Sequence, residues 1–391
     1  MTVFDDLVGQ DEVVRLLDNA VRDAQAFSEG GRPGAMTHAW LFTGPPGSGR
    51  STAARAFAAA LQCDSEIGGG CGVCHACRTA MGGRHADVDI VTPTKLSYGI
   101  DDTRELVRRA SRTPAVGRWH VIVVEDADRL TEQAANALLK AIEEPPSHTV
   151  WMLCAPSPED LPPTIRSRCR LVSLRTPPAA AVARMLEERD GIDAHTAAFA
   201  ARASQGHIGR ARRLARDEHA RNRRQEVLEL PVRLTDLGSC LAAAADVVAA
   251  AEADAAAATD EVDAEELAEL RRSLGESTTG RGVPRGGAGM VRDLKAGQKS
   301  RATRIKRDAL DRALVDLAAF YRDVLVRQLG ADVALVNEEL RPWVERLAGA
   351  GTPEATLRRI EAVLAAREAV AANVAPLLAV EAMAVQLRWS R

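Results

Sequence analysis

The chain is short of aromatic residues, of net charge and of long apolar runs, and each shortage removes a class of function. Phe, Trp and Tyr make up 3% of the 391 residues, so there is no interleaving of rings on which bases could stack. With 46% hydrophobic residues and much alanine, the composition favours helices packed through small side chains over an all-β architecture. The formal net charge of −3 provides no global basic field, and any contact with nucleic acid would have to be local. No uninterrupted apolar run is long enough to span a bilayer. The residues Met1-Thr2-Val3-Phe4-Asp5-Asp6 are acidic and lack the apolar region of a secretory signal. A soluble, cytoplasmic protein with no membrane partner is expected.

What is present is more specific. The length predicts two or three domains. Of seven cysteines, four are bunched as Cys63, Cys71, Cys74 and Cys77, spaced Cys-x7-Cys-x2-Cys-x2-Cys around Gly68-Gly69-Gly70 and Gly72. Bunching in a chain without a secretion signal points to metal rather than disulfides. Four thiolates complete the tetrahedral shell of a structural zinc ion, and short Cys-x2-Cys arms let one turn supply several of them. His75 is an alternative ligand that a complete shell does not need. Packing as small apolar groups is the weaker reading, because a glycine-rich surface loop is a poor place to bury a thiol.

Along the chain, Val13, Val14, Leu16, Leu17, Ala20 and Val21 recur at helical spacing. An apolar run, His38 to Thr43, then enters the glycine-rich turn Gly44-Pro45-Pro46-Gly47-Ser48-Gly49-Arg50-Ser51-Thr52, followed by an alanine-rich helix to about Leu61. Short strands are predicted over Val88–Val91, Trp119–Val124, Thr149–Cys154 and Leu171–Leu174, with helices over Asp101–Ala110 and Thr131–Glu144, the latter stopped by Pro145-Pro146. Alternation of this kind implies a mostly parallel, doubly wound α/β sheet. From Pro177 the β signal vanishes. Glu226 to Leu274 is predicted helical and Gly275 to Ser300 a mobile loop, with helix again from Arg301 to the end.

The turn after the first strand matches the phosphate-binding pattern G-x-x-x-x-G-K-[ST] at Gly44, Gly49 and Ser51 but carries Arg50 where lysine belongs. Arginine keeps the charge but not the shape of an ammonium. The acidic pair after the Val121–Val124 run is Glu125-Asp126, reversed from the usual Asp-Glu. A carboxylate of the wrong length stands at the metal-holding position and another at the water-activating one, and a misplacement of about 1 Å can cost roughly 100-fold in rate. ATP or ADP stays open as a ligand held by Gly44, Gly47, Gly49, Arg50, Ser51, Thr52, Glu125 and Asp126. Efficient hydrolysis is not expected.

Val8-Gly9-Gln10, the phosphate loop, the four cysteines, Glu125-Asp126-Ala127-Asp128, Asn136-Ala137-Leu138-Leu139-Lys140, Glu143-Glu144-Pro145-Pro146 and Ser167-Arg168-Cys169 occur in that order. As a set they resemble the bacterial DNA polymerase III clamp-loader subunits of the AAA+ class, and the zinc cluster narrows the resemblance to the tau/gamma or delta-prime type. The resemblance covers roughly residues 4–215. It implies an α/β P-loop (AAA+) domain over 1–176 with a zinc module at 63–77, an all-α lid over 177–225 and a helical oligomerisation collar over 226–391, with a flexible loop near 275–300.

The departures at Arg50 and Glu125-Asp126, with Ala155-Pro156 in place of a polar sensor and Gly209 in place of a lid arginine (Arg210 being one residue on), are those of a delta-prime-like subunit. Such a subunit has no intrinsic ATPase but belongs to the polymerase holoenzyme. It helps load the sliding clamp on primed DNA, and Arg168 would act as an arginine finger on a tau/gamma neighbour. The implied partners are tau/gamma and delta subunits in a hetero-oligomeric ring. An active tau/gamma-like ATPase and a zinc-dependent nucleic-acid module are the alternatives. Arg108, Arg109 and Arg112, at one helix end, are equally consistent with contact to DNA phosphates and with a solvated surface.

Overall fold

Short apolar runs alternating with amphipathic helices between residues 39 and 173 can bury both kinds of surface only as parallel strands joined by helical crossovers. The computed structural model describes residues 2–28, 34, 36–65, 69–93, 97–273 and 287–388, and it has that arrangement. Helix α1 (Asp11–Ser28) precedes strand β1 (Ala39–Thr43); α2 (Arg50–Leu61) and α3 (His75–Met81) lead to β2 (Val88–Val91). Next come α4 (Ile100–Ala110) and β3 (His120–Val124), α5 (Glu132–Glu143) and β4 (Thr149–Ala155), and α6 (Pro163–Arg166) and β5 (Arg170–Ser173). Every pairing is parallel, in the order β2-β3-β4-β1-β5.

The three inner strands β1, β3 and β4 are buried on both faces, the outer β2 and β5 only in part, and the two sides of each inner strand alternate as a period of two requires. Trp40, Phe42, Val121, Val123, Val150 and Met152 share a core with α1 and α2. Leu41, Ile122, Val124, Trp151 and Leu153 share the opposite core with Leu106 of α4 and Leu138 and Ile142 of α5. Helix α2 is buried almost all round, through Ala53, Ala54 and Ala56 to Leu61; its alanines let it lie close to the sheet. Phe57 is its one aromatic side chain, and it meets Trp40 edge-on with ring centroids 4.9 Å apart. Trp40→Ala is expected to destabilise this unit by about 3–5 kcal/mol, the range for truncating a buried aromatic residue. Chemical denaturation would show it as a lower midpoint at unchanged slope.

Packing divides the chain into two compact units, Met1–Ala215 and Arg216–Arg391. The first also contains α7 (Ala179–Asp190), α8 (Ala194–Ala203) and α9 (Ile208–Arg216). Arg212 of α9 pairs with Asp190 at 2.9 Å and with Asp6 at 3.2 Å, which ties these helices to the start of the chain. The second unit comprises α10 (Glu218–Leu228), α11 (Leu230–Arg233), α12 (Leu237–Ser273), α13 (Gly287–Gln328), α14 (Arg341–Ala350), α15 (Pro353–Ala371) and α16 (Pro376–Leu387). Its core is the stripe Leu310, Leu314, Leu317, Phe320, Tyr321 and Val324 of α13, packed with Val363 of α15 and Val380 and Met383 of α16. Arg224, buried in this unit, is held by Asp316 at 3.3 Å and Glu339 at 2.9 Å.

Residues 226–273 are helical as expected, in three pieces, α10, α11 and α12. Asp236 ends the break between α11 and α12 by accepting the Ser239 N–H at 2.8 Å, as an N-capping carboxylate does. One sequence expectation needs correction. The loop expected over 275–300 does not hold for residues 287–300, which begin α13; its remainder, 275–286, lies outside the described residues. Gly287, Gly289 and Gly297 each cost a helix about 1 kcal/mol. The partner helix offsets this: Gln298 donates to the Asp263 carbonyl at 2.8 Å and Arg301 pairs with Asp263 and Glu266 of α12. Among the described residues, no helix is long and apolar enough to cross a membrane.

Candidate functional site

Strand β1 delivers the chain to the glycine turn at the C-terminal edge of the sheet. Gly44 has φ 147°, and a Cβ there would lie 2.5 Å from the Leu174 carbonyl oxygen. Gly47, at φ 85°, has no room for one either, because His207 of the α8–α9 turn packs directly against it. The Gly44 N–H donates to the Pro156 carbonyl at 3.0 Å, so Ala155-Pro156, which offers no polar sensor side chain, still anchors the loop through its backbone. Gln10, buried, donates to the Arg175 carbonyl at 2.6 Å and reaches the Ser48 carbonyl at 3.4 Å. That gives the Val8-Gly9-Gln10 motif its role of fixing the turn to the strand beside it.

The loop's charged groups are turned inward. Arg50 Nη1 donates to the Gly44 carbonyl of its own loop. Glu125, at the end of β3, accepts from Arg55 of α2 at Nε (3.0 Å) and Nη2 (2.8 Å), with its side chain only 13% exposed. The Tyr98 hydroxyl is 2.6 Å from the Glu125 carbonyl and pins the strand end. Asp126 stands in the left-handed region at φ 49° and faces Arg129 at 3.6 Å. Burial, reinforced by the Asp126 carboxylate, pushes the Asp128 carboxyl up from its ordinary value. Gly44, Gly47 and Gly49 therefore share one turn, Arg50, Ser51 and Thr52 open helix α2, and Arg55 of the same helix links it to Glu125. The sequence reading did not anticipate Arg55 or His207 at the site; His207 meets Gly47, and Arg55 meets Glu125, only through the fold.

Arg168 lies elsewhere. It follows α6 and precedes β5, whose Arg170 is in register with Trp40 and whose Ser173 is in register with Thr43. In a parallel sheet this places Arg168 at the N-terminal edge and the glycine turn at the C-terminal one. The four residues of β5 separate the two edges by about 13 Å at 3.3 Å per residue. The Arg168 side chain is 37% exposed. Its Nε donates to Glu143 Oε1 at 2.6 Å, its Nη1 to the Thr164 carbonyl at 2.7 Å. Burial pushes the neighbouring Cys169 thiol up to about 12, the mark of an inert packed group.

The four clustered cysteines come together. Their sulfur atoms all lie within 4.8 Å of one another. The N–H groups of Cys71, Cys74 and Cys77 point at the sulfurs of Cys63, Cys71 and Cys74 at 3.4, 3.3 and 3.3 Å, and the backbone N–H of Cys74 leads in holding the Cys71 thiol down to about 6. This donor set fits zinc: four thiolates about 2.3 Å from one tetrahedral ion stand roughly 3.8 Å apart, inside that limit. Helix α3, starting at His75 with Cys74 as its N-cap, replaces the plain loop expected there. At the end of α4, Arg108 pairs with Glu105 at 2.9 Å and Arg109 with Asp89 at 3.2 Å, so two of the three arginines considered for DNA already have carboxylate partners.

A parallel five-stranded sheet with a glycine turn between a central strand and a buried helix defines a P-loop-type α/β domain. Residues 21–178 match the family described as DNA polymerase III, delta subunit. Similar chains include the DNA polymerase III subunit gamma/tau of Mycobacterium tuberculosis, 36% identical over 194 residues, which are 48% of this chain and 32% of that one. Another is the DNA polymerase III subunit delta' of Pseudomonas aeruginosa, 37% identical over 158 residues, 40% of this chain and 48% of that one. A DNA polymerase III gamma subunit-related protein of Thermotoga maritima aligns with 97% of this chain and 98% of its own, at 14% identity and a TM-score of 0.38. Over residues 21–178 the chain is thus similar to DNA polymerase III subunits of the delta, delta' and gamma/tau kinds. It spans about a third of the length of the mycobacterial relative and about half of the delta' relative.

Proposed function

We propose that the chain is a delta-prime-like subunit of the DNA polymerase III clamp loader. In this reading it does not hydrolyse ATP, and it offers Arg168 to the nucleotide of a tau/gamma neighbour. The observation that carries the reading is the placement of Arg168 at the sheet edge opposite its own glycine turn. An arginine there is out of reach of its own loop, while an exposed guanidinium can stabilise charge developing on another subunit's γ-phosphate. The loop's own contacts support the same view. Arg50 is turned onto Gly44 and Glu125 is committed to Arg55, so the two groups that depart from the motor pattern are both engaged within the chain. In the assembly the C-terminal helices form the collar, tau/gamma and delta are the neighbours, and the sliding clamp and primed DNA are met through the complex. Zinc, held by Cys63, Cys71, Cys74 and Cys77, is structural, since the four thiolates leave no open position for catalysis.

The purified chain alone is expected to show no ATP turnover above background, and Ser51→Ala should leave that result unchanged. A steady-state phosphate-release assay checks it. Turnover by the isolated chain that Ser51→Ala abolishes would replace this reading with that of an active tau/gamma-like ATPase.

A further inference from the structure

Arg168 is not a free surface side chain, and what restrains it suggests a second residue in its chemistry. Glu143, the last residue of α5, directs Oε1 at both Nε and Nη2 of Arg168, and the Thr164 carbonyl takes Nη1. The cation also lies at the C-terminal end of α5, where the helix dipole favours positive charge. These contacts occupy one side of the guanidinium. Among the described residues the second N–H of Nη2 has no partner, and Nη1 reaches the Ser167 hydroxyl at 3.4 Å as well as the Thr164 carbonyl. A fork held this way keeps that N–H for an incoming phosphate while losing the rotamer freedom of a long side chain. Both partners are solvent-reached, 37% and 43% exposed, and an ion pair this open contributes little to folding stability. Its consequence lies in orientation.

We propose that Glu143 is a positioning residue that orients the Arg168 guanidinium for an anionic phosphate presented by a neighbouring subunit. The inference rests on the finger reading given above. Its test uses the clamp-loader complex reconstituted with wild type, Glu143→Ala, Glu143→Gln, Arg168→Ala and the double variant, with steady-state ATP turnover and assembly measured on each. At the site that Arg168 serves, Glu143→Ala is expected to lower kcat about tenfold with an unchanged KM for ATP. Glu143→Gln, whose amide oxygen still accepts a hydrogen bond, should recover part of the loss. In the Arg168→Ala background the Glu143 change should cost nothing further, because both act through one group. Three results overturn the proposal while leaving the finger intact: a wild-type kcat for Glu143→Ala beside a lowered one for Arg168→Ala, an equal loss in both backgrounds, or a turnover raised by Glu143→Ala, which would make the glutamate a brake. Unchanged turnover in Arg168→Ala itself would overturn the finger reading, and this proposal with it.

Discussion

Replacing Arg168 by alanine is expected to leave assembly nearly intact and to lower the ATP turnover of the reconstituted complex by an order of magnitude or more per affected site. Arginine fingers supply about 10³–10⁵ in kcat where they act. Other sites in a ring would continue to fire, so the observed loss is smaller than the intrinsic one. Little stability is at stake. The Arg168–Glu143 pair is open to solvent, and such pairs contribute about 0–1 kcal/mol. Turnover measured beside sedimentation of the complex separates a catalytic loss from an assembly defect. Turnover equal to wild type in an assembled complex would reject the role.

The second large effect concerns the cysteine cluster. The purified chain is expected to carry one zinc ion, and Cys77→Ser or chelation should unfold the segment around residues 63–81. Structural zinc supplies about 10–16 kcal/mol of apparent binding free energy in small domains, and that free energy is folding free energy. Cys63 and Cys77 are buried with α1 and α2 in one core, and the Gly70 carbonyl accepts the Val3 N–H at 3.0 Å, so the loss reaches the start of the chain. The far face of the sheet has its own core and should persist. Elemental analysis gives the metal content, and hydrogen exchange with and without chelator gives the extent of unfolding. A metal-free chain with unchanged protection over α3 would reject the zinc role, whereas loss of DNA affinity with assembly intact would favour the nucleic-acid module.

Much of the first unit could be read from residues alone because its signals are local. Val121–Val124 and Thr149–Ala155 are apolar throughout, as strands buried on two faces must be. Thr131 caps α5 by accepting from Ala134 at 3.2 Å, and Pro145-Pro146 follow its end. The spacing of the four cysteines brought their sulfurs together with no more information than the chain supplies. The glycine turn, too, was legible as a pattern.

Tertiary structure decided the partners of the charged groups. Glu125 meets Arg55, and Arg168 meets Glu143, only because parallel strands and crossover helices bring them into reach; no local periodicity encodes either pair. The same holds for residues 287–300. Their glycines read as a loop, yet contacts with Asp263 and Glu266 on α12 outweigh a propensity deficit of about 1 kcal/mol per glycine. Most consequential is the sheet edge on which Arg168 stands. Sequence alone determined that this chain has a P-loop pattern with Arg50 in the lysine position and an arginine, Arg168, in a recognisable motif. That the two lie at opposite ends of one sheet follows from strand direction and register, which are properties of the folded chain.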